Sequence, residues 1–485
     1  MRHLLICREY PPAPSGGIGT YAATISRLLA ACGETVHVIG QLWDGAENAV
    51  EEHCRGKLII HRVPYENWKS LLKGRPHPAI PCGLSRNLFN SDLPAECFSW
   101  QASLLAEKLV SSEGIDLLEA QEYEAPLFYF QLRRALGLGP KLRPPCLIHL
   151  HSPSEFIARH NNWKLDSPSI ASAKRLEDRS IAAADALICP SRFLAKQAEE
   201  HYRMATGTVS IIPYPIGESV QCERNQNTWE HGTICYIGRL EPRKGALEWI
   251  DAAVAVARLN PALKFEFVGA NALGLNRIQG EDVLRRLIPR DLRSRFVLQA
   301  EQKRSSIHSF LRNARLAVVP SRWENFPYSC IEAMASGLPV IATREGGMAE
   351  MIQDGRTGWL APEATIAGLG EALQRALETP WTRISEMGQE AAREIRRLCD
   401  NRRILEAHMA FRKDLLNRGT RISPPAFANL LLAELPGSVS SEHYLTQLIQ
   451  KRKRNAAFFG QEWMRNATYA LAHPVKTALW LSRQI

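Results

Sequence analysis

Two doubly wound α/β domains in tandem, facing each other across a cleft, are the architecture this sequence predicts. Three observations carry that prediction. The chain has 485 residues, more than one ordinary domain holds and comfortable for two. Short apolar runs alternate with helical spacings in two successive rounds, the rhythm of parallel sheets with helices on both faces. Between the rounds, Glu218–His231 is polar, has no apolar period and reads as a linker.

The first round begins with the strand His3–Cys7, the Pro/Gly loop REYPPAPSGGIG and a helix Thr20–Ala31 stopped by Gly33. ETVHVIG, Leu58–Val63, Asp116–Glu119, Cys146–His151 and Ala186–Cys189 follow as strands, with a helix over Pro94–Ser112 and a last strand Val209–Ile216. The second round runs from TICYIG through the loop RLEPRKG, a helix Ala246–Arg258 and KFEFVG. Strands at Arg295–Leu298, Leu316–Val319, Val340–Thr343 and Trp359–Ala361 complete it. The expected division is a Rossmann-like domain over 1–217, a second over 231–399, a helix over 400–420 and a basic, mainly helical extension over 421–485. Ligands of such sheets bind at the carboxyl ends of the strands, so the cleft is the expected site.

Lys plus Arg number 60 against 50 Asp plus Glu, an excess that suits anionic partners. Eight of those cations, against three acids, lie in the last 65 residues. KRKRNAAFFGQEWMRNATYALAH mixes Lys and Arg with aromatics, as interfacial helices do, and reads either as a contact with an anionic membrane or as an ordinary surface helix. No nucleic-acid partner is expected. The eleven cysteines are scattered without a CxxC, as in a reduced, cytoplasmic chain. The apolar run before Arg8 is too short for a signal peptide, and no later run reaches a membrane span.

Five stretches carry candidate chemistry. SRWENFPYSCIEAMASGLPV holds Glu324 and Glu332, which on one helix would stand about 80° apart and share no face. Pro327 cannot sit mid-helix, so Glu324 belongs to a loop after the strand LAVVP, where a carboxylate without a task is disfavoured. Ser329 and Glu332 fit a capping box of the following helix, which Gly337 and Pro339 end. GRLEPRKG points Arg239 and Lys244 at the cleft, a planar fork and a compact charge for phosphate oxygens. SGGIGTY matches the dinucleotide pattern G-x-G-x-x-A, but the long, proline-bearing loop before it and the missing acid after the second strand count against a nicotinamide site. Its glycines, Gly17 among them, read as a mobile loop offering N–H groups to a phosphate or sugar. In TREGGMAE, Gly346 and Gly347 precede a short helix whose N-terminus would face the same cleft. In LIHLHSPSEF, His149 and His151 share a face, with His151 at the strand's carboxyl end. HExxH, GxSxG, P-loop and D-x-D patterns are all lacking, so neither a metal nor another cofactor is expected.

Over residues 1–415 these motifs resemble the retaining glycosyltransferases of family 4, with the GT-B fold. The likeness rests on Glu324 and Glu332 as an E-x7-E pair, on GRLEPRKG as that family's G-R-L-x-x-x-K-G, and on the amino-terminal P-x-x-G-G-x-G loop. It implies a nucleoside diphosphate sugar as donor and a glycan or lipid-linked acceptor, in cell-surface polysaccharide or glycolipid synthesis. Arg239 and Lys244 would hold the diphosphate, with Gly17 closing over it. Glu332 would take the ribose, Glu324 with the backbone of Asn325 and Phe326 the donor sugar, and His151 would lie at its reacting face. The helix Asp400–Asn417 would cross back to the first domain. The chain departs from the family in ANALG (Ala270–Gly274) and in QAE (Gln299–Glu301), regions near the base in relatives, so no nucleotide is named. Alternatives are a GT-B epimerase or hydrolase, or an inactive nucleotide-sugar-binding protein.

Overall fold

In the computed structural model both rounds of strands form parallel sheets. The structure describes residues 1–13, 16–43, 46, 48–63, 88, 91–219, 221–269, 280–299, 302 and 304–420. Ser15, most of the loop before Leu93, Ala270–Gly274 and the basic extension lie outside the described residues.

The first sheet contains β1 (Arg2–Ile6), β2 (Thr35–Gln41), β3 (Val50–His53), β4 (Leu58–Val63), β5 (Leu117–Gln121), β6 (Cys146–His149), β7 (Ala186–Cys189) and β8 (Val209–Ile211). Its order is β3-β4-β2-β1-β5-β6-β7-β8, parallel except for the edge strand β3. The second contains β9 (Thr233–Ile237), β10 (Phe265–Val268), β11 (Phe296–Gln299), β12 (Ala314–Val319), β13 (Val340–Thr343) and β14 (Gly358–Ala361), in the order β11-β10-β9-β12-β13-β14. Strands such as LLI in β1 and VIAT in β13 are apolar at consecutive positions because helices cover both faces of the sheet.

Three expected boundaries move. The strand expected over Val209–Ile216 ends at Ile211, and the chain continues as the crossing between domains, where the Ile216 N–H donates to the Cys399 carbonyl at 2.8 Å. The polar linker holds a short helix, Gln226–His231, capped by the Asn225 side chain. Its one buried apolar residue, Trp229, packs it onto the second domain, which is why no period marked it. The strand into His151 ends at His149 instead.

The last described helix, Asn401–Arg418, starts at an Asp400 side chain that accepts from the Arg403 N–H at 2.8 Å. It returns to the first domain and packs on the helix Gly17–Ala31. There it buries Arg412 completely, in an ion pair with Glu119 of β5. The Tyr21 hydroxyl donates to the same carboxylate at 2.8 Å, and an Arg412 N–H approaches His3 Nδ1 at 3.4 Å. Burial alone would raise the Glu119 pKa, but Arg412, His149 and His408 together hold the carboxyl well below its usual range. Among the described residues no helix is long and apolar enough to cross a membrane.

A buried pair costs most when one partner is lost. Arg412→Met should therefore destabilise the chain by about 3–5 kcal/mol, and adding Glu119→Gln should recover much of that loss. Urea denaturation of the two single variants and the double variant checks this. Additive losses would show that the two charges do not act as a pair.

Candidate active site

The carboxyl ends of both sheets open on one cleft of about 490 Å³. Gly17, His151, Arg239, Lys244, Glu324, Asn325, Phe326 and Glu332 line it.

Glu324 is its electrostatic centre. It follows β12 in the loop that precedes the helix Tyr328–Ala335, and it is 7% exposed. Its Oε1 accepts from Arg243 at 2.5 Å and also pairs with Lys244 Nζ. Burial alone would raise its pKa, but Arg243 first and Lys244 next hold the carboxyl below its usual range. Burial in turn lowers the Lys244 pKa, against the pull of Glu324.

Lys244 and Arg243 belong to the single 3-10 turn Pro242–Lys244 that follows β9. Gly245 closes the turn at φ 65°, where a Cβ would lie 1.9 Å from the Pro320 carbonyl oxygen, so only glycine lets the turn press onto β12's end. Arg239 is more open, its side chain 55% exposed, and meets Glu241 at 3.1 Å.

Arg243 carries no signal of its own in the sequence, yet it organises the turn. Its guanidinium bonds Glu324, the Trp323 carbonyl at 3.3 Å and Glu241 at 3.4 Å. Its backbone N–H donates across the cleft to Asn161 Oδ1 at 2.9 Å.

The capping box expected of Ser329 and Glu332 does not form. The helix begins at Tyr328 with Pro327 as its N-cap, extended and with no side-chain cap, so proline stands just outside the helix it could not continue through. Ser329 therefore lies inside the first turn, and both Ser329 and Glu332 line the cleft.

Two glycine readings also change. Gly17 and Gly19 belong to the first turn of the helix Gly17–Ala31 rather than to a mobile loop, and the Thr20 N–H already bonds the Gly16 carbonyl at 3.1 Å. The earlier N–H groups of that turn have no acceptor within the helix, and Gly16, Gly17 and Ile18 face the cleft. Gly346 and Gly347 do not line it. The Gly347 N–H donates to the Glu324 carbonyl at 2.8 Å, and a Cβ on Gly347 would lie 1.6 Å from the Asn325 carbonyl oxygen. The pair is a seat for the Glu324 loop. The helix after it, Met348–Met351, carries Glu350 to the backbone N–H groups of Arg192 and Phe193 in the first domain, at 3.1 and 2.7 Å.

His151 lies just past β6, buried, with its ring stacked on His149 at 4.2 Å. Its Nδ1 meets the Tyr214 hydroxyl at 2.5 Å. Burial, with His149 beside it, holds the ring neutral, well below its ordinary pKa. Tyr214 in turn stacks on Tyr328 at 5.2 Å and meets Phe326 edge-on at 5.7 Å. The His151 carbonyl accepts from Asn325 Nδ2 at 3.0 Å, and the Ser191 hydroxyl donates to Asn325 Oδ1 at 2.5 Å. The Asn325 side chain is thus spent on joining the domains.

Family models match both halves. Residues 15–218 match the model described as "Glycosyltransferase Family 4", and residues 222–395 the model described as "Glycosyl transferases group 1". A D-inositol 3-phosphate glycosyltransferase of Nocardiopsis dassonvillei is 30% identical, over 76% of this chain and 82% of its own length. The chain belongs to the family 4 glycosyltransferases. This glycosyltransferase is also 25% identical to a glycogen synthase of Mycobacterium tuberculosis, over 78% of this chain and 87% of that protein. A sucrose-phosphate synthase structure from Thermosynechococcus elongatus superposes with a TM-score of 0.65 at 20% identity, covering 86% of this chain and 100% of that one. That likeness shows the GT-B fold.

The seat of His151 is a further residue that the motifs did not mark. Both Glu122 carboxylate oxygens accept from the His151 N–H at 2.8 Å, and the Ser152 N–H joins them at 2.5 Å. In the sequence Glu122 stood three residues past the expected strand Asp116–Glu119, with no motif to mark it. Nearby, Glu177 holds the N–H groups of Glu124 and Ser154, each at 2.8 Å. Burial pushes Glu122 up to about 8, helped by the Glu177 charge, and Glu177 up to about 7. Both values lie above the ordinary 4.5, so the stability these groups contribute is full below that pH and is lost as pH rises through about 7 and 8. Unfolding free energy should fall between about pH 5 and pH 8 by on the order of a few kcal/mol, and Glu122→Gln should flatten that fall. Urea midpoints across the range check it. A slope as steep in the variant as in the parent would place the titration on another group.

Proposed function

We propose that this glycosyltransferase moves a sugar from a nucleoside diphosphate sugar to a glycan or lipid-linked acceptor, with retention of configuration and without a metal. The observation that carries the reading is one cleft in which buried carboxylates stand beside lysine and arginine, opposite a helix N-terminus of the other domain. A purely anionic ligand would be repelled by Glu324 and Glu332. A polyhydroxylated ligand with a diphosphate uses both signs, the hydroxyls on the carboxylates and the phosphates on the cations.

In this reading the Lys244–Glu324 pair is a placeholder. Donor phosphates take Lys244 and Arg239, sugar hydroxyls take Glu324, and Arg243 stays with Glu324 as its fixed partner. Glu332, which lines the cleft, takes the ribose. The open N–H groups around Gly17 and the two cations stabilise the charge that builds on the leaving phosphate. That phosphate assists the acceptor hydroxyl on the face where it departs, so configuration is kept. His151, neutral and anchored by Tyr214, presents its ring at the reacting face. Cell-surface polysaccharide or glycolipid synthesis is the proposed setting, with the basic extension as a peripheral contact with an anionic membrane.

Lys244→Ala and Glu332→Ala should each lower transfer by about 10²-fold or more. Calorimetry with UDP-, GDP- and ADP-sugars, followed by transfer assays with the donor that binds, makes the test. Full activity in both variants would refute the site. Epimerised or freed sugar formed efficiently without acceptor would favour a non-transferase enzyme.

A further inference from the structure

Resting on that reading, we infer that the acceptor is a neutral glycosyl unit, stacked on Trp163 at the first-domain wall of the cleft, and not a sugar phosphate. The wall is built largely by one segment. From His151 the chain runs through Ser152 into the helix Ser154–His160, and His151, Ser152, Ile157 and Trp163 all line the cleft. Asn161 and Asn162 follow the helix, and Asn162 adopts φ 56°, a left-handed conformation that asparagine tolerates better than most residues. That turn brings the Trp163 N–H back to the Ala158 carbonyl at 2.9 Å and leaves the indole 44% exposed at the cleft.

An indole so placed is unusual. Leu165 nearby is also exposed, at 39%, but does not line the cleft, and the neighbouring Asn161 is almost wholly buried against Arg243. An exposed aromatic face inside a ligand cleft suits the apolar C–H face of a pyranose, as an aromatic body with one polar edge suits half-wet sites. Glu9 and Tyr123 line the same cleft from the first domain and offer a carboxylate and a phenol to ring hydroxyls.

The charges decide between a neutral and a phosphorylated acceptor. Among the described residues, every lysine and arginine lining the cleft (Arg239, Arg243, Lys244) comes from the second domain. Arg243 stays with Glu324, and Lys244 and Arg239, held by Glu324 and Glu241 while the cleft is empty, are the cations the donor diphosphate takes. The first-domain cation nearest Glu9 is Arg8, 4.0 Å away, and it is paired with Glu124 at 2.6 Å. Among the described residues, a phosphate on this wall would therefore meet a carboxylate and no uncommitted first-domain cation.

The test uses the full chain and the donor selected by calorimetry. Release of nucleoside diphosphate is followed with octyl glucoside, octyl galactoside and octyl mannoside as neutral acceptors, against glucose 1-phosphate and inositol 3-phosphate. Transfer to a neutral glycoside is expected, with a KM for that acceptor about tenfold higher in Trp163→Ala and largely restored in Trp163→Tyr. The donor dissociation constant should move far less than that KM. Preference for either phosphate, an acceptor KM unmoved in Trp163→Ala, or donor binding without transfer to any neutral glycoside would overturn the inference. A chain that binds no donor would instead remove the proposed function, and this inference with it.

Discussion

The buried Glu324 carboxylate, held between Arg243 and Lys244, is the constraint from which the rest of the cleft follows. Bringing three charged groups out of water costs several kcal/mol for each, and attraction repays this only where the geometry is tight and the remaining donors are satisfied. The surrounding residues supply that geometry. A glycine lets the cationic turn press against the end of β12, and a glycine pair does the same for the backbone of the acidic loop. The carbonyl of Trp323 and the carboxylate of Glu241 take guanidinium donors that Glu324 leaves over. A site built this way is pre-ordered, so ligand binding exchanges partners and does not have to assemble them.

The same residues hold the two domains together. Arg243 reaches Asn161, Asn325 reaches His151 and Ser191, and Glu350 caps a first-domain helix. Trp323, next to Glu324 in sequence, inserts among first-domain aromatics, stacking on His160 at 5.4 Å and donating to Gln197 at 3.0 Å. Apart from the Glu350 bonds, each of these starts at a cleft-lining side chain or next to one. Separating the domains would therefore loosen the charge cluster directly. The returning helix Asn401–Arg418 fastens the far side through Arg412, whose partner Glu119 contacts the His149 ring that backs His151.

Much of this was legible before any coordinates. Strand rhythm and the glycine punctuation identify the two sheets because parallel strands covered on both faces leave unbroken apolar runs. The E-x7-E and GRLEPRKG stretches identified the cleft because charges at the carboxyl ends of such strands have few other uses. What could not be read depends on distant partners. Arg243 is one of two adjacent cations in PRKG, and only Asn161, 82 residues earlier, and Glu324, 81 later, make it a buried hub. Glu119 and Arg412 lie 293 residues apart. The capping box failed for a local reason: Ser-x-x-Glu fits an N-terminus at Ser329, but the helix already starts at Tyr328, with Pro327 at the N-cap position and no side-chain cap. Gly346 and Gly347 looked like a phosphate loop because a packing glycine and an anion-binding glycine are the same residue in a sequence. Only the backbone pressed against them tells the two apart.

The distribution of charge between the domains is also an argument about division of labour. In the described cleft the second domain contributes the lysine and arginines, together with the acids that occupy them, whereas the first contributes a helix N-terminus, a neutral histidine, aromatics and Glu9. A helix N-terminus supplies fixed partial charge without a mobile counter-ion, so it adds to anion binding only where the cations of the other wall are close. In the proposed reading the diphosphate is held where the two walls meet, near Gly17 and Lys244. The outer first-domain surface, with its indole and uncharged donors, is poorly suited to a second anion. Placing both anionic and neutral recognition on one wall would have forced cations against hydroxyl-binding carboxylates in a single loop. Dividing them lets each wall be satisfied internally while the cleft is empty, as the pairs Lys244–Glu324, Arg239–Glu241 and Arg8–Glu124 are.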